Sequence, residues 1–334
     1  MIVEAKTPTR IDLAGGTIDL WPLYLFHPGA QTVNVAIDLF ASCRVASRAD
    51  ARIVLRSKDI GAEEEYASLA ETPLDSPLQL LARLVAFFAP QTGVEVTTDC
   101  AAPAGSGLGG SSALVIALAG ALNRLTGRGY DEKALLTIAP NIETQVIKVP
   151  AGVQDYYPPV YGGANAIHLG VNGVTCERLP DVTEALQERI VLCYTGKPHF
   201  SGTNNWEIFK RHIDGDPDVF THLERIRETT TAMRDAVLAG DAARVADRLN
   251  EEWENRKRLS VNVSTEKIDR LIETARQNGA LAGKVCGAGG GGCVTFVVAE
   301  GRKSETMRAL TAAGGEVLDV RLTERGLDIT ERNE

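Results

Sequence analysis

The chain has 334 residues, of which 44% are hydrophobic, 24% charged and only 5% aromatic. That balance excludes an intrinsically disordered chain, and the length is enough for about two domains with substantial cores. With 44 acidic against 35 basic residues and a formal net charge of −9, bulk attraction to nucleic acid or to an anionic membrane is excluded.

Segments rich in β-branched residues predict strands over 2–5, 10–13, 32–38, 43–47, 53–57 and 94–98. Among them, Ser76 as N-cap and Pro77 as first helical residue predict a helix through about Phe88. Further helices are expected over 111–125, from an Asp131 cap to about Pro140, and from Glu143 toward Pro150. Strands at 164–169 and 190–195 follow. Residues 217–278 are helical in period, as 220–239, 242–259 and 265–278. The chain closes with strand 293–298, helix 303–313 and strand 316–321. Strands first, a helical block later and then strand–helix–strand predict an α+β protein of two lobes, not a regular βαβ wind, with 1–170 and 171–334 as its domains.

Residues 100–123 carry no charge. As a membrane span, however, Pro103 and the glycines that follow would leave backbone groups unpaired in lipid, so a buried loop and helix is the expectation. Residues 1–6 read as a strand and lack an apolar signal core. The six cysteines are scattered without a CxxC pair or zinc spacing, which argues against a disulfide scaffold or a structural metal. The expected setting is cytoplasmic, with no membrane and no nucleic-acid partner.

Two glycine-rich segments dominate. The first, Pro103-Ala-Gly-Ser-Gly-Leu-Gly-Gly-Ser-Ser-Ala113, lies between a strand and an apolar helix. Its glycines let the backbone turn amides toward a ligand, the helix start adds its positive dipole end, and Ser111 and Ser112 can reach phosphate or a metal ion. The second runs from Lys284 to Cys293, with four consecutive glycines before a buried strand. Such a run suits a place where two backbones, or a backbone and a ligand, come very close. Gly105-x-Gly107-x-x-Gly110 and Gly287-x-Gly289-x-x-Gly292 both satisfy the dinucleotide spacing. The carboxylate that should follow the first is missing, because Asp131 and Glu132 open a helix, and there is no GxxxxGK[ST] loop.

Together with Thr7-Pro-Thr-Arg-Ile-Asp-Leu-Ala-Gly-Gly-Thr-Ile-Asp19, the segments at 103–113 and 287–292 resemble, in order and spacing, the three motifs of the GHMP kinases. Within that family Gly15-Gly16-x-x-Asp19, Gly152-Val-Gln-Asp155 and Tyr161-Gly-Gly-Ala-Asn165 are most similar to the branch of heptose 7-phosphate kinases and fucokinases. Lys197-Pro-His-Phe-Ser-Gly-Thr-Asn-Asn-Trp206 departs from the heptose-kinase pattern. The resemblance implies an N-terminal lobe like ribosomal protein S5 domain 2, a ferredoxin-like, helix-rich C-terminal lobe, and a cleft site using ATP and Mg²⁺ to phosphorylate a sugar or sugar phosphate.

Residue by residue, the resemblance gives Pro103, Gly105, Ser106, Gly107, Leu108, Gly109, Gly110, Ser111 and Ser112 to the ATP phosphates. It gives Ser111, with Ser112 in reserve, and Glu143 to the metal. Asp155 becomes the catalytic aspartate, with Arg10 beside it to stabilise transferred charge. Asp19, Gly16, Thr17, Gly289, Gly290 and His199 are expected at the acceptor, where a carboxylate can bind sugar hydroxyls. Asp38 faces the acceptor or simply ends a strand. Trp206 stacks on a sugar or packs into the interior. The charged run 250–258 reads as a solvated helix face. The alternatives are a mevalonate-type kinase, with Lys197 or Arg211 holding a substrate carboxylate, a decarboxylase on the same scaffold, and a sensor that binds without turnover.

Overall fold

The computed structural model describes residues 1–180, 182–198 and 201–332. Two sheets organise it. The first is begun by β1 (Ile2–Ala14), β2 (Gln31–Ser47), β3 (Ile53–Ser57) and β4 (Ala62–Tyr66) and, after helix α1 (Gln79–Phe88), by β5 (Val94–Cys100). Helices α2 (Gly110–Thr126), α3 (Glu132–Ile147) and α4 (Tyr157–Tyr161) lead to the hairpin β6 (Ala164–Gly170) and β7 (Gly173–Leu179). The second sheet starts after α5 (Val182–Gln187) with β8 (Ile190–Tyr194). It continues past α6 (Ser201–Ile213), α7 (Pro217–Leu238), α8 (Ala242–Leu259) and α9 (Glu266–Gln277) to β9 (Ala280–Val285) and β10 (Cys293–Val298). Helix α10 (Lys303–Ala312), β11 (Glu316–Leu318) and β12 (Asp328–Arg332) complete the chain.

The first sheet has the order β12-β1-β2-β5-β3-β4, with β6 and β7 attached along the first part of β2. The second has the order β11-β8-β10-β9, all antiparallel, which with its helices is a βαββαβ ferredoxin-like arrangement. The two-lobed α+β expectation is the fold observed.

Several predicted elements fuse or move. The segments 2–5 and 10–13 are one strand: Pro8 cannot donate to the ladder, so it sits at a register shift between Pro8 and Thr9 without ending β1. Segments 32–38 and 43–47 likewise join as β2. Ser76 is not the cap of α1. Its hydroxyl donates to Glu64 at 2.8 Å, and the helix begins at Gln79 with Glu64 accepting from the Leu78 amide at 3.4 Å. Asp131 does cap α3, accepting from the Ala134 amide, but the helix runs through Pro140 because Leu135, Ala139 and Ile142 keep packing on the core. The boundary expected near 170 falls inside the β6–β7 hairpin. The first sheet extends to Leu179 and takes back β12, which covers the β1 edge that would otherwise be open.

Helix α2 is apolar all round, and Ser112–Leu122 are all buried between β1, β2, α1 and α3. Each such large apolar side chain contributes about 1.5–3 kcal/mol. The other face of the first sheet, with Ile11, Leu13, Val33 and Val35, packs against Leu192, Val297 and Leu249, so one core joins the lobes. Tight packing on both faces of β1 fixes Arg10 and the loop that follows it. The six cysteines are free. Among the described residues no helix is long and apolar enough to cross a membrane.

Candidate active site

The first glycine loop bends through left-handed conformations at Gly105, Gly107 and Gly109, with φ of +66°, +75° and +71°. Alternation of this kind turns successive amides to one side and makes a concave anion nest. Gly109 is the N-cap of α2, no side chain caps that helix start, and the first helical amides add to the nest. The loop is pinned from below. The Arg10 amide donates to Leu108 O at 3.0 Å, the Arg10 guanidinium Nη1 to Gly107 O at 2.5 Å, and the Cys293 amide to Ser106 O at 2.7 Å.

Asp155 sits in a 3-10 turn, Val153–Tyr156, after α3. Its Oδ1 accepts from Arg10 Nε at 2.9 Å and from Nη2 at 2.5 Å. Arg10 is buried while the Asp155 side chain keeps 28% of its exposure, so the pair opens toward solvent on the aspartate side. Asp19 is buried beside it and accepts from the Gln154 amide at 3.0 Å. Burial, and then the Asp155 charge, push the Asp19 carboxyl up to about 7. A Cβ at Gly152 would lie 2.5 Å from Asp19 Oδ2, so any larger residue there would push the Asp19 carboxyl aside.

Glu143 projects from α3 into the same place. Its Oε2 accepts from Ser112 Oγ at 2.7 Å and from the Tyr156 hydroxyl at 2.6 Å. Burial raises its carboxyl, against hydrogen bonds from Tyr156 and the two serines. Ser111 stands exposed at the mouth of α2. Among the described residues no three metal-ligating side chains converge. One carboxylate with a neighbouring hydroxyl still fits Mg²⁺, which takes one or two protein oxygens and completes its shell with phosphate and water.

These groups line a cleft of about 430 Å³. One end is apolar, walled by Ile60, Leu78, Leu81 and Ile147. The glycine loop forms the middle, and Arg10, Thr17, Asp19 and Asp155 form the other end. Of the residues expected at the acceptor, Gly16, Thr17 and Asp19 line this polar end, as does Asn205 from α6. Gly289 and Gly290 do not. A Cβ on Gly289 would lie 2.4 Å from Val263 O and the Gly290 amide donates to that same carbonyl, so the glycine run serves the approach of two backbones. Gly287 and Ala288 reach the cleft in their stead. His199 lies outside the described residues. Asp38 accepts from the Arg321 amide at a strand end, and Trp206 stacks on Phe209 at 5.3 Å.

A buried charge cluster beneath the acceptor end escapes sequence reading. Lys284 of β9 pairs with Asp12 of β1, and its Nζ lies 3.8 Å from Glu252 of α8. Glu252 in turn holds Arg256 at 2.6 Å. Glu252 and Arg256 belong to the run expected to be a solvated helix face, but one stripe of α8, including Leu249 and Trp253, is buried. Their four-residue spacing is the trace that the sequence does carry.

Comparison with known proteins decides the family. The model for the GHMP kinases N terminal domain matches residues 78–163, and that for the GHMP kinases C terminal matches residues 233–316. The chain belongs to the GHMP kinases. Among its relatives is the D-glycero-alpha-D-manno-heptose 7-phosphate kinase of Campylobacter jejuni, 29% identical over 97% of this chain and 98% of that one. A mevalonate kinase of Thermococcus sibiricus is 25% identical over 99% of each. In structure, the GHMP kinase described here is similar to a D-glycero-D-manno-heptose 1-phosphate kinase from Bacteroides thetaiotaomicron. The TM-score is 0.80 and the identity 26%, covering 99% of this chain and 100% of that one.

Proposed function

We propose that this GHMP kinase transfers the γ-phosphoryl group of ATP to a hydroxyl of a sugar phosphate, with a heptose phosphate as the first candidate. The observation that carries the reading is the pairing of Asp155 with Asp19 at one end of a cleft whose middle is a glycine anion nest. Two carboxyl groups side by side are suited to hydrogen-bonding the several hydroxyls of a polyhydroxylated acceptor. The likeness to heptose phosphate kinases over nearly the whole chain supports the same choice.

In this reading the base of ATP takes the apolar end and its phosphates lie on the amides of residues 107–112. Glu143 and Ser111 would hold Mg²⁺, which supplies neutralisation of phosphate charge. Asp155 Oδ1 is engaged by Arg10, so Oδ2 is the oxygen that meets the acceptor hydroxyl. The acceptor oxygen bonds to the γ-phosphorus as the bond to the β,γ-bridging oxygen breaks. Its proton passes to Asp155, ADP leaves, and Arg10 lies where it can stabilise the charge in flight. Asp19 orients the acceptor by accepting from its hydroxyls.

ADP release with ATP and Mg²⁺ over a panel of free sugars, hexose and heptose phosphates, mevalonate and phosphomevalonate tests the proposal. Turnover is expected with a sugar phosphate. Turnover with a mevalonate compound alone would replace the acceptor and leave the assignment of Asp155 standing.

A further inference from the structure

The transfer described above makes no use of Arg256, yet this one guanidinium ties three elements together. It is 1% exposed in α8 and is held by Glu252 Oε1, which accepts from Nε at 2.8 Å and from Nη2 at 2.6 Å. The same Nη2 donates to Gly16 O at 2.9 Å, while Nη1 donates to Thr17 Oγ1 at 3.3 Å and to Gly287 O at 3.4 Å. A helix of the second lobe is thereby bonded to the loop after β1 and to the second glycine segment.

The loop it grips is unusual. Thr17 has φ of +70°, a left-handed conformation that a β-branched residue adopts only when its surroundings impose it. Its hydroxyl is used twice, accepting from Arg256 and donating to Asn205 Oδ1 at 2.8 Å. Gly16 passes directly over the guanidinium: a Cβ there would lie 2.8 Å from Arg256 Nη2. Asp19 follows two residues after Thr17, and Thr17, Asp19 and Asn205 all line the cleft. A buried ion pair is a weak source of stability compared with apolar packing of the same volume. What this pair does supply is a fork of donors aimed at one loop.

We propose that Arg256 is a positioning residue for the acceptor: acting through Thr17, it fixes the loop 16–19 so that Asp19 and Asn205 meet the acceptor in one geometry. It sets acceptor affinity and takes no part in phosphoryl transfer. The inference rests on the reading of this end of the cleft as the acceptor end.

Steady-state kinetics of the full chain, with Arg256→Lys, Thr17→Val and the double variant, test it. Arg256→Lys keeps the charge and removes the fork, whereas Thr17→Val keeps the shape and removes the hydroxyl. Each is expected to raise the KM for the acceptor about tenfold while kcat and the KM for ATP stay within about twofold. The double variant is expected to be no worse than the more impaired single, because the bond between Arg256 and Thr17 is lost in both. An unchanged acceptor KM, or fully additive effects of the two changes, would overturn the proposal. Should Arg256→Lys fail to fold, Glu252→Gln, which loosens the guanidinium without touching the cleft, decides: a raised acceptor KM with kcat and the KM for ATP near wild type supports the link, and an unchanged acceptor KM defeats it. The measurement uses whichever acceptor the wild-type enzyme turns over, so a wrong sugar assignment shows in the wild type and a wrong role for Arg256 only in the variants.

Discussion

Asp155 divides its two oxygens between two tasks: one is bonded twice by Arg10 and the other is left to the cleft. In the proposed transfer, that division makes the carboxylate a fixed acceptor of the proton rather than a swinging surface charge. Asp155→Asn keeps the shape and removes the base, so kcat should fall at least about 100-fold with ATP affinity near wild type, measured by single-turnover transfer and nucleotide titration. Asp19 carries a different signature, its carboxyl being raised from 3.8 to about 7 by burial and the Asp155 charge. Between those two values the folded protein holds a proton that the unfolded chain has lost. Stability from this group is therefore present below about pH 4, declines as pH rises toward 7, and stays lost above it. Asp19→Asn removes the penalty. Its melting temperature should exceed that of the wild type at pH 8, with the gap closing toward pH 4; a gap independent of pH would contradict the account.

The two glycine segments act as a single construction. Gly107 lies against the Cys286 carbonyl, which would stand 2.4 Å from an added Cβ, and its φ is +75°. Gly107→Ala should destabilise by more than about 1–3 kcal/mol and raise the KM for ATP, because the nest and its support move together. Gly129→Ala is the control. That glycine is left-handed too, at φ +71°, but nothing lies within 4 Å of its added Cβ, so only the strain of about 1–2 kcal/mol should appear in denaturant unfolding.

The same pair of segments marks where the sequence was readable. Residues 103–113 stand out because a local run of glycine and serine at a helix start encodes its own geometry. The run 289–292 is ambiguous in sequence, since close approach to a ligand and close approach to Val263 demand the same glycines. Strand β4 hides behind Glu63, Glu64 and Glu65: it is an edge strand on which Glu63 and Glu65 are exposed while Glu64 accepts from Ser76 and the Leu78 amide. Helix α6 hides behind Gly202, Asn204 and Asn205, whose propensities are poor and whose helix is imposed by tertiary contacts such as Asn204 bonding Ala288 O at 3.1 Å. Arg256 and Lys284 are invisible for a different reason. Only the meeting of β1, α8 and β9 turns ordinary charged residues into buried ones.

At the junction of the lobes, Asp12, Lys284, Glu252 and Arg256 are all buried, and their charges balance within the cluster. Removing one member leaves another unpaired in the interior. Lys284→Met should therefore cost about 3–5 kcal/mol in equilibrium unfolding, and a change below about 1 kcal/mol would show that the cluster adds nothing to the stability of this junction. In the proposed reading, the molecule as a whole is a cleft between a lobe that cradles the nucleotide and a lobe that steadies the acceptor loop. Incubation with ATP, Mg²⁺ and heptose 7-phosphate, followed by mass analysis of the sugar, puts that description to the question directly. A gain of one phosphoryl group in the wild type, lost in Asp155→Asn, is the predicted result. No gain on this or any other sugar phosphate, with turnover of an acceptor that carries a carboxylate, would contradict it.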